Sequence, residues 1–412
     1  MVVLVFLTFF VMSLLTNILG PVVPDVIRSF HVDLTAAGFL AFSFFIAYGV
    51  MSIPAGFMVE RFHEKPVMIL AFIISLGGAL SFAIFPGYRV AMVSFFVIGA
   101  GMALLQVAIN PLLRVAGGEE NYAFNSSLSQ VVFGSASFLS PLIYARLIYD
   151  LQHRSPDQNA PLRLLGRVVP TALPWVSIYW LFAACTLLMI LLLIFFRFPA
   201  VQHTDEESAG TWSIYRILLK KRLVWLYFFA MFCYSGCEQG TADWMSNFLS
   251  VYHHFDPHTV GTSCVSWFWG LLTAGSFVGM LLLKMYDSRK ILIGTSIGAI
   301  CCLSIALFGT ANLSLFAFPL IGLFASVMWA IIISLAFNSV ADHHGPLSGI
   351  VSTAFIGGAI VPLLIGHIGD FLGLRSGMMF LYVTFGFVLS VGFWSRPLIQ
   401  NAILSQRSEK AT

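Results

Sequence analysis

Two carboxylic acids stand inside an apolar stretch of the sequence at 223–251. They are Glu238 and Asp243, in the segment "CYSGCEQGTADW". Removal from water disfavours the charged form of a carboxylate, so acids in such surroundings are rare and mark functional sites. A group that gains and loses a proton carries a different charge in two conformations, which is the requirement for proton coupling. We therefore predict that Glu238 and Asp243 are proton-coupling residues.

Each acid also has a structural alternative. A buried acid can pair with a basic side chain, but no Lys or Arg lies at the centre of an apolar stretch, which disfavours pairing for Glu238. Asp243 can instead lie near the outer end of its helix. Helical spacing places Asp243 on one stripe with Gln239 and Asn247, whereas Glu238 lies about 100° away from that stripe.

Uncharged polar residues and tryptophans form a second set of candidates. The segment "LLQVAINPLL" places Gln106 and Asn110 four residues apart, on one helix face. An amide inside a membrane needs a partner, so it faces either another helix or a watery cavity. Amides combined with aromatic rings suit a neutral sugar or polyol. The predicted substrate-binding residues are Asn17, Gln106, Asn110, Gln130, Trp329 and Asn338, with hydrogen bonding between helices as the alternative role.

The composition indicates the environment of these residues. The 412-residue chain is 59% hydrophobic and 9% charged, with 40 Phe and a mean hydropathy of +0.91. So few charges cannot cover a soluble protein of this size, whereas a membrane protein faces lipid. The net charge of +3 comes from basic residues scattered in short loops, which argues against nucleic acid as a partner. We predict a protein that spans a membrane and is surrounded by membrane lipid.

Other kinds of chemistry have little support. All six cysteines lie inside apolar stretches, where a thiol behaves as a small hydrophobic group. The segment "HHFDPH" at 253–258 could bind a metal or sense pH, but histidines in loops are usually solvated. The sequence contains no GxxxxGKS/T, HExxH or GxSxG motif. We therefore predict no cofactor, no metal site and no enzymatic activity.

Twelve apolar runs, each of about 20 residues, are long enough to cross a bilayer as helices. A polar segment follows the sixth run and divides the chain into two six-helix halves, as in transporters built from repeats. The predicted domains are a helical bundle at 1–196, a cytoplasmic linker at 197–222, a second bundle at 223–395 and a cytoplasmic tail at 396–412. The fold class is therefore all-α, with spans near 2–24, 34–57, 66–86, 89–113, 123–148, 173–196, 223–251, 258–283, 290–310, 313–338, 347–369 and 376–395.

The distribution of positive charge predicts the orientation. Most of the 21 Lys and Arg residues fall in loops and tails on the same side as the N-terminus, and loops of this kind are cytoplasmic. The first apolar run lacks a basic region and a small-residue cleavage site, so we interpret it as a retained helix rather than a signal peptide. We predict an inner-membrane protein with both termini in the cytoplasm.

Six segments share a family pattern. They are "GFMVERFHEKP" after the second span, "GAGMALLQVAINPLL" in the fourth, "NSSLSQVVFGSASFLSPLI" in the fifth, "YSGCEQG" in the seventh, "GLFASVMWAIIISLAFNSV" in the tenth and "STAFIGGAIVPLLIGHIGD" in the eleventh. They resemble the corresponding parts of the major facilitator superfamily and, within it, of the fucose:proton symporter family with its fucose and glucose/galactose permeases. The resemblance implies the twelve-helix major facilitator fold and the transport of a sugar with protons.

Two positions depart from that family's pattern. Gln106 stands where the family's fourth span has an acid before Asn-Pro, and the segment 17–24 contains no acid where the family's first span has an Asn-Asp pair. In fucose-type members these acids are implicated in proton coupling and sugar binding. Their absence leaves the seventh span, with Glu238 and Asp243, as the predicted location of coupling.

The combined prediction is a monomeric transporter that moves a monosaccharide or related polar solute by alternating access, with a proton as the coupling ion. Sodium is the alternative ion, and facilitated diffusion by a uniporter is the alternative without coupling. A pocket rich in Phe and Met would instead suit an exporter of amphipathic compounds. A non-transporting membrane sensor is the most remote alternative.

Overall fold

The regular secondary structure of this chain is helical. The computed structural model describes residues 1–117, 122–153, 159–196, 212–340 and 344–395, and within them every regular element is a helix or a helical turn. The predicted all-α fold class is confirmed.

Twelve spans follow one another along the chain, and four of them consist of two helical pieces. A short helical turn, Pro257–Gly261, precedes span 8. The helices are span 1 (Val2–Thr16 and Leu19–Phe30), span 2 (Leu34–Phe62), span 3 (Glu64–Ile84), span 4 (Tyr88–Gly117), span 5 (Tyr122–Gln152), span 6 (Ser177–Phe195), span 7 (Arg222–His253), span 8 (Thr262–Met285), span 9 (Ser288–Phe308), span 10 (Ala311–Ala325 and Met328–Ser339), span 11 (His344–Thr353 and Gly357–Leu372) and span 12 (Leu374–Met378 and Phe380–Trp394).

Span 7 differs from the other spans in its polarity. In the described residues, eleven helical segments are long and apolar enough to cross a membrane, and span 7 is not one of them. It has 32 residues, about 48 Å at 1.5 Å per residue, so its length is sufficient. Its lower hydropathy comes from polar residues that include Glu238, Gln239 and Asp243. Span 7 is therefore the twelfth crossing helix, and it carries the candidate acids.

Span 1 is longer than predicted. Its two pieces meet at Asn17 and Ile18, and the second piece continues to Phe30 rather than ending near residue 24. The extension brings Asp25 into the span, where 6% of its surface is exposed. Span 1 therefore contains a buried acid, Asp25, near its C-terminal end.

Two short helices lie in segments that the sequence marks as polar. Ala160–Val168 lies between spans 5 and 6, and Trp212–Leu219 lies before span 7, inside the predicted linker. The remainder of that linker, 197–211, and the predicted tail at 396–412 lie outside the described residues. The limits of the predicted domains therefore stay predictions.

The two halves of the chain form separate hydrophobic cores. One buried cluster is built almost entirely by spans 1–6 and includes Phe44 and Phe72, while the other is built mainly by spans 7–12 and includes Trp244 and Phe268. Because the number of spans is even, the start of span 1 and the end of span 12 lie on the same side of the protein. We call that side the terminal face and the opposite side the far face.

The halves meet mainly along three pairs of spans, 1 with 7, 2 with 11, and 5 with 8. The backbones approach each other closely at glycines that include Gly20 and Gly38. A Cβ atom added at Gly20 would overlap the carbonyl oxygen of Ala242, and one added at Gly38 would lie 2.9 Å from the Cα atom of Leu363. Small residues permit this close packing between helices in lipid. Both glycines lie in the part of their spans that is nearer the far face.

Candidate functional site

The two acids of span 7 have different surroundings. Glu238 is half-buried, and its carboxyl group forms a side-chain hydrogen bond with Tyr234, one turn earlier in the same helix. Asp243 is only 3% exposed, and its buried Oδ2 atom has no hydrogen-bond partner among the described residues. Five residues separate the two acids, which places them about 140° apart around the helix. They therefore face different neighbours.

Asp243 lies at the boundary between the two halves. Its backbone packs against Gly20 of span 1, at the contact that leaves no room for a side chain on the glycine. One turn earlier, Gln239 packs on Gly358 of span 11, where Phe45 of span 2 also approaches. One turn later, Asn247 is 6% exposed and its buried Nδ2 atom lacks a partner in the described part of the chain. The predicted stripe of polar residues thus follows the boundary between the halves.

Asn17 is held within the N-terminal half. It lies at the break in span 1, and its Nδ2 atom donates to the Ser137 hydroxyl at 2.7 Å and the Ser13 hydroxyl at 3.4 Å. The same two serine hydroxyls are 2.7 Å apart. This network ties span 1 to span 5 at the point where span 1 bends, so Asn17 has a structural partner in addition to its predicted role.

The other predicted binding residues lie on spans 4, 5 and 10. Gln106 is half-buried in span 4, and Gln130 is exposed on span 5. Trp329 is 39% exposed, immediately after the break in span 10. Asn338 donates to the Ser334 hydroxyl at 3.3 Å, one turn earlier in span 10. The side chain of Asn110 lies outside the described residues, so its placement, like the binding role of the whole set, stays a prediction.

The histidines at 253–258 do not converge on one point. His253 lies 2.9 Å from the Ser314 hydroxyl of span 10, whereas His258 contacts Asp25 of span 1. Among the described residues, no group of three His, Cys, Asp or Glu side chains could hold a metal ion. The segment instead connects span 7 and span 8 to two different neighbours.

Asp25 is a site residue that the sequence interpretation missed. The Nε2 atom of His258 lies 2.9 Å from both of its carboxylate oxygens, and the Tyr144 hydroxyl of span 5 donates to it as well. Asp25 and Tyr144 belong to the N-terminal half, and His258 belongs to the C-terminal half. The sequence signal was an acid in the apolar run "PVVPDVIRSF", just beyond the predicted end of the first span.

A second acid joins the halves at the far face. Asp370, near the end of span 11, accepts hydrogen bonds from the backbone N–H groups of Leu34 at 2.9 Å and Thr35 at 2.8 Å, and from the Thr35 hydroxyl. Arg28 of span 1 also donates to the Ser250 hydroxyl of span 7 at 3.3 Å. These contacts and the Asp25–His258 pair hold the far-face ends of the two halves together.

Comparison with known protein families identifies the fold and the class of protein. The model of the Major Facilitator Superfamily matches residues 5–362. The chain belongs to the Major Facilitator Superfamily. This superfamily consists of transporters with two six-helix halves. The predicted fold, family and transporter class are therefore confirmed.

Curated relatives within the superfamily cover nearly the whole chain. The glucose/galactose transporter of Brucella abortus is 28% identical over 400 residues, which are 94% of this chain and 92% of the relative. The L-fucose-proton symporter of Escherichia coli is 26% identical over 380 residues, 89% of this chain and 86% of the relative. The putative glucose/galactose transporter of Helicobacter pylori is 24% identical over 379 residues, with 91% and 90% covered.

Solved structures of superfamily members have the same fold. The Escherichia coli fucose:proton symporter FucP, in the outward conformation, aligns with a TM-score of 0.67 at 21% identity, over 96% of this chain and 98% of FucP. A bacterial homologue of the human lysosomal transporter Spinster, in an inward-facing and occupied conformation, aligns with a TM-score of 0.79 at 13% identity, over 96% of each chain. Both likenesses show the major facilitator fold.

Proposed function

We propose that this protein carries a neutral monosaccharide together with protons across the inner membrane by alternating access. The observation that carries the proposal is the placement of Asp243, a carboxyl group buried at the boundary between the two halves with an unpartnered oxygen. The names of two curated relatives support the substrate class and the coupling ion, since one is a glucose/galactose transporter and the other an L-fucose-proton symporter.

The surroundings of Asp243 link its proton to the conformation. A charged carboxylate without a partner is strongly disfavoured in a dry interior. When the far face is closed, span 1 packs on span 7 at Gly20 and covers Asp243, so this state favours the protonated acid. Separation of the halves at Gly20 would bring water to Asp243 and permit it to ionise. Proton binding would therefore favour closure of the far face, and loss of the proton would favour its opening.

Glu238 is the second coupling residue of the proposal. Its hydrogen bond with Tyr234 gives the carboxyl group a polar partner, and the Glu238 side chain is only half-buried, so it is partly open to solvent. The pair could therefore exchange a proton with water while Asp243 responds to closure of the far face. Sodium is the alternative ion, because carboxylates also bind it.

The sugar contacts are proposed for Gln106, Asn110, Gln130, Trp329 and Asn338, which supply hydrogen-bonding groups and one aromatic face. Asn17 is included through its Oδ1 atom, because its Nδ2 atom already donates to Ser137. We further propose that the terminal face is cytoplasmic, as the positive charge distribution indicates, and that the protein works as a monomer. With this orientation the far face is periplasmic, and the closed far face corresponds to an inward-facing state.

Transport by purified protein in proteoliposomes tests the coupling. With an inward proton gradient, the unaltered protein should concentrate labelled glucose, galactose or fucose above the external level. Glu238→Gln should abolish this accumulation and retain exchange of labelled for unlabelled sugar, because binding and alternation remain while the titrating group is gone. Tyr234→Phe is the matched variant, since it removes the hydrogen bond and keeps the acid, and it should retain accumulation.

The same preparation separates the alternatives. If Glu238→Gln still concentrates sugar under a pH gradient, Glu238 is not a coupling residue. If the unaltered protein only equilibrates sugar under proton and sodium gradients, facilitated diffusion replaces symport. A panel of sugars and hydrophobic cations, screened by thermal stabilisation, tests the substrate class, because a ligand of the folded state raises its apparent stability. Stabilisation by the cations alone would favour an exporter of amphipathic compounds.

A further inference from the structure

A groove opens on the outer surface between spans 3 and 4, away from the boundary between the halves. It has a volume of about 340 Å³ and is lined by residues that include Gly77, Arg89, Val93, Ser94 and Val97. Val93 is 64% exposed, so the groove lies on the surface that faces lipid. Its lining is apolar except for two serines, Ser81 and Ser94, and for Arg89, which is the second residue of span 4 and lies at the far face.

The depth of the groove comes from a pair of glycines. Gly78 lets spans 3 and 4 pack tightly, because a Cβ atom there would lie 2.8 Å from the Ile98 side chain and 3.0 Å from the Ser94 carbonyl oxygen. Gly77 is exposed, and a Cβ atom added to it would meet no protein atom within 4 Å. The floor of the groove is therefore helix backbone, bordered by valine side chains. An extended hydrocarbon chain has the shape and polarity for this surface.

The polar groups of the groove point to an anionic headgroup. Arg89 is exposed, and no hydrogen bond or ion pair holds its guanidinium group among the described residues. Ser94 lines the same groove and is 1% exposed, and its hydroxyl has no hydrogen-bond partner in the described part of the chain. Guanidinium groups bind phosphate oxygens in a bidentate manner. The charge lies at one end only, as in a lipid.

The dimensions agree with one phospholipid. From Arg89 to Val97 the helix rises about 12 Å, at 1.5 Å per residue, and this distance runs from the far-face surface towards the membrane centre. We propose that the groove between spans 3 and 4 binds one anionic phospholipid, with its phosphate on Arg89 and one acyl chain along Gly77, Val93 and Val97. The site is separate from the proposed transport pathway and does not depend on which solute is carried.

Native mass spectrometry of the purified protein with added phosphatidylglycerol tests this site. Arg89→Gln should weaken retention of one phosphatidylglycerol about fivefold, the effect of one basic residue on an anionic lipid. Gly77→Leu should remove the same lipid by filling the groove, and it should fold normally because its position is open. Arg167→Gln, an exposed arginine of the far face, and Gly386→Leu, a glycine with nothing within 4 Å of its Cβ position, are the matched controls.

A photoactivatable phosphatidylglycerol with its reactive group in the acyl chain gives an independent readout. Crosslinks should map to 77–97 in the unaltered protein and disappear from that segment in Gly77→Leu. Equal lipid retention by all four variants would overturn the proposal. It would also be overturned if inorganic phosphate bound as tightly as the lipid and Gly77→Leu had no effect, because the site would then hold a phosphate ion rather than a lipid. Equal retention of phosphatidylcholine by the unaltered protein would overturn the anionic assignment.

Discussion

His258 and Asp25 join the two halves of the protein at the far face, with the imidazole Nε2 atom 2.9 Å from both carboxylate oxygens. The residues are 233 positions apart in the chain. Their side chains are 24% and 9% exposed, respectively, so water screens their attraction only in part. The pair exists only while span 1 lies against the start of span 8. It therefore stabilises the arrangement in which the far face is closed.

Removal of this pair should open the far face. His258→Ala should shift the equilibrium towards the open state about tenfold, the low end of the range for a hydrogen bond to a charged group. Spin labels on cysteines introduced at Leu164 and Leu313, one in each half, report the distance between the halves by double electron–electron resonance. The exposed native Cys301 is replaced by Ser so that it is not labelled. His253→Ala is the control, because His253 pairs with Ser314 inside its own half. Identical distance distributions in both variants would refute a role in closure.

The same pair gives closure a pH dependence. Imidazole is charged only when it is protonated, so its attraction to the Asp25 carboxylate should weaken as the pH rises from about 5.5 to about 8.5. The other charged groups near His258 are Asp256 and Arg28. The closed population should fall over that range in the unaltered protein. If the closed population depends on pH in the same way in His258→Ala, another group is responsible for that pH dependence.

Asp370 should stabilise the closed far face, whereas Asp33, which lies nearby, should not. Asp370 and Asp33 both accept N–H groups in the first turn of span 2, but Asp370 comes from span 11 in the other half and Asp33 is the helix's own N-cap residue. Loss of a cap costs about 1 kcal/mol. Asp33→Ala should lower the stability without preference for one conformation, because it removes this cap.

Asp370→Asn should instead weaken only the closed state, by a few-fold, because its acceptor oxygens reach Leu34 and Thr35 only when the halves are together. The two variants can be compared by the same spin-label distances and by thermal unfolding. The expected pattern is a wider distance distribution for Asp370→Asn and an unchanged one for Asp33→Ala. The reverse pattern would show that the contact between the halves contributes nothing to closure.

The helices were predictable from the sequence because each crossing requires a run of about 20 apolar residues. Span 7 was predictable from its length of 32 residues, although polar residues such as Glu238 and Asp243 make it less apolar than the other spans. The end of span 1 was not, since Pro24 and Asp25 both suggest a helix end and only tertiary packing extends the helix to Phe30. Asp25 was missed as a consequence of that boundary.

The candidate site was predictable only as a set of residue types. Helical spacing placed Gln239, Asp243 and Asn247 on one stripe, but it carried no information about the span that the stripe faces. Contacts between distant residues decide the rest: Asn17 pairs with Ser137, which is 120 positions away. A periodic pattern describes one helix at a time, whereas alternating access depends on pairs of helices from different halves.

Gly20 should be essential for closure, since its missing side chain allows span 1 to contact span 7. Gly20→Val would place atoms on the carbonyl oxygen of Ala242, and overpacking of this kind costs about 1–3 kcal/mol. The variant should bind sugar from the far side, remain open there and fail to complete transport. Gly56→Val is the control, because a Cβ atom at Gly56 meets nothing within 4 Å. Normal transport by Gly20→Val would refute this contact as part of the transport cycle.

Replacement of Asp243 and of Asp287 by Asn should have different effects on the unfolding temperature. Asp287 lies outside the membrane, where burial alone would raise its pKa, but hydrogen bonds from the side chain and backbone N–H of Arg289 hold the pKa below its ordinary value. Its stabilising effect is therefore present above the ordinary carboxyl pKa and is lost as the pH falls through the depressed value. Asp287→Asn should lower the unfolding temperature at pH 7 by about 1 °C, the shift that about 1 kcal/mol gives in a chain of this length, and the difference should vanish in strong acid.

Asp243→Asn should leave the unfolding temperature equal or higher at pH 7. Asparagine keeps the shape of the side chain and removes a buried carboxyl group that has an unpartnered oxygen in the described structure, so the penalty for charge at this site disappears. Accumulation of sugar under a proton gradient should be lost in Asp243→Asn and retained in Asp287→Asn. Proton coupling needs a titrating group at the dry boundary between the halves, so we expect Asp243 to lower the stability of the fold. Lower stability together with normal accumulation in Asp243→Asn would mean that Asp243 supports the fold and takes no part in coupling.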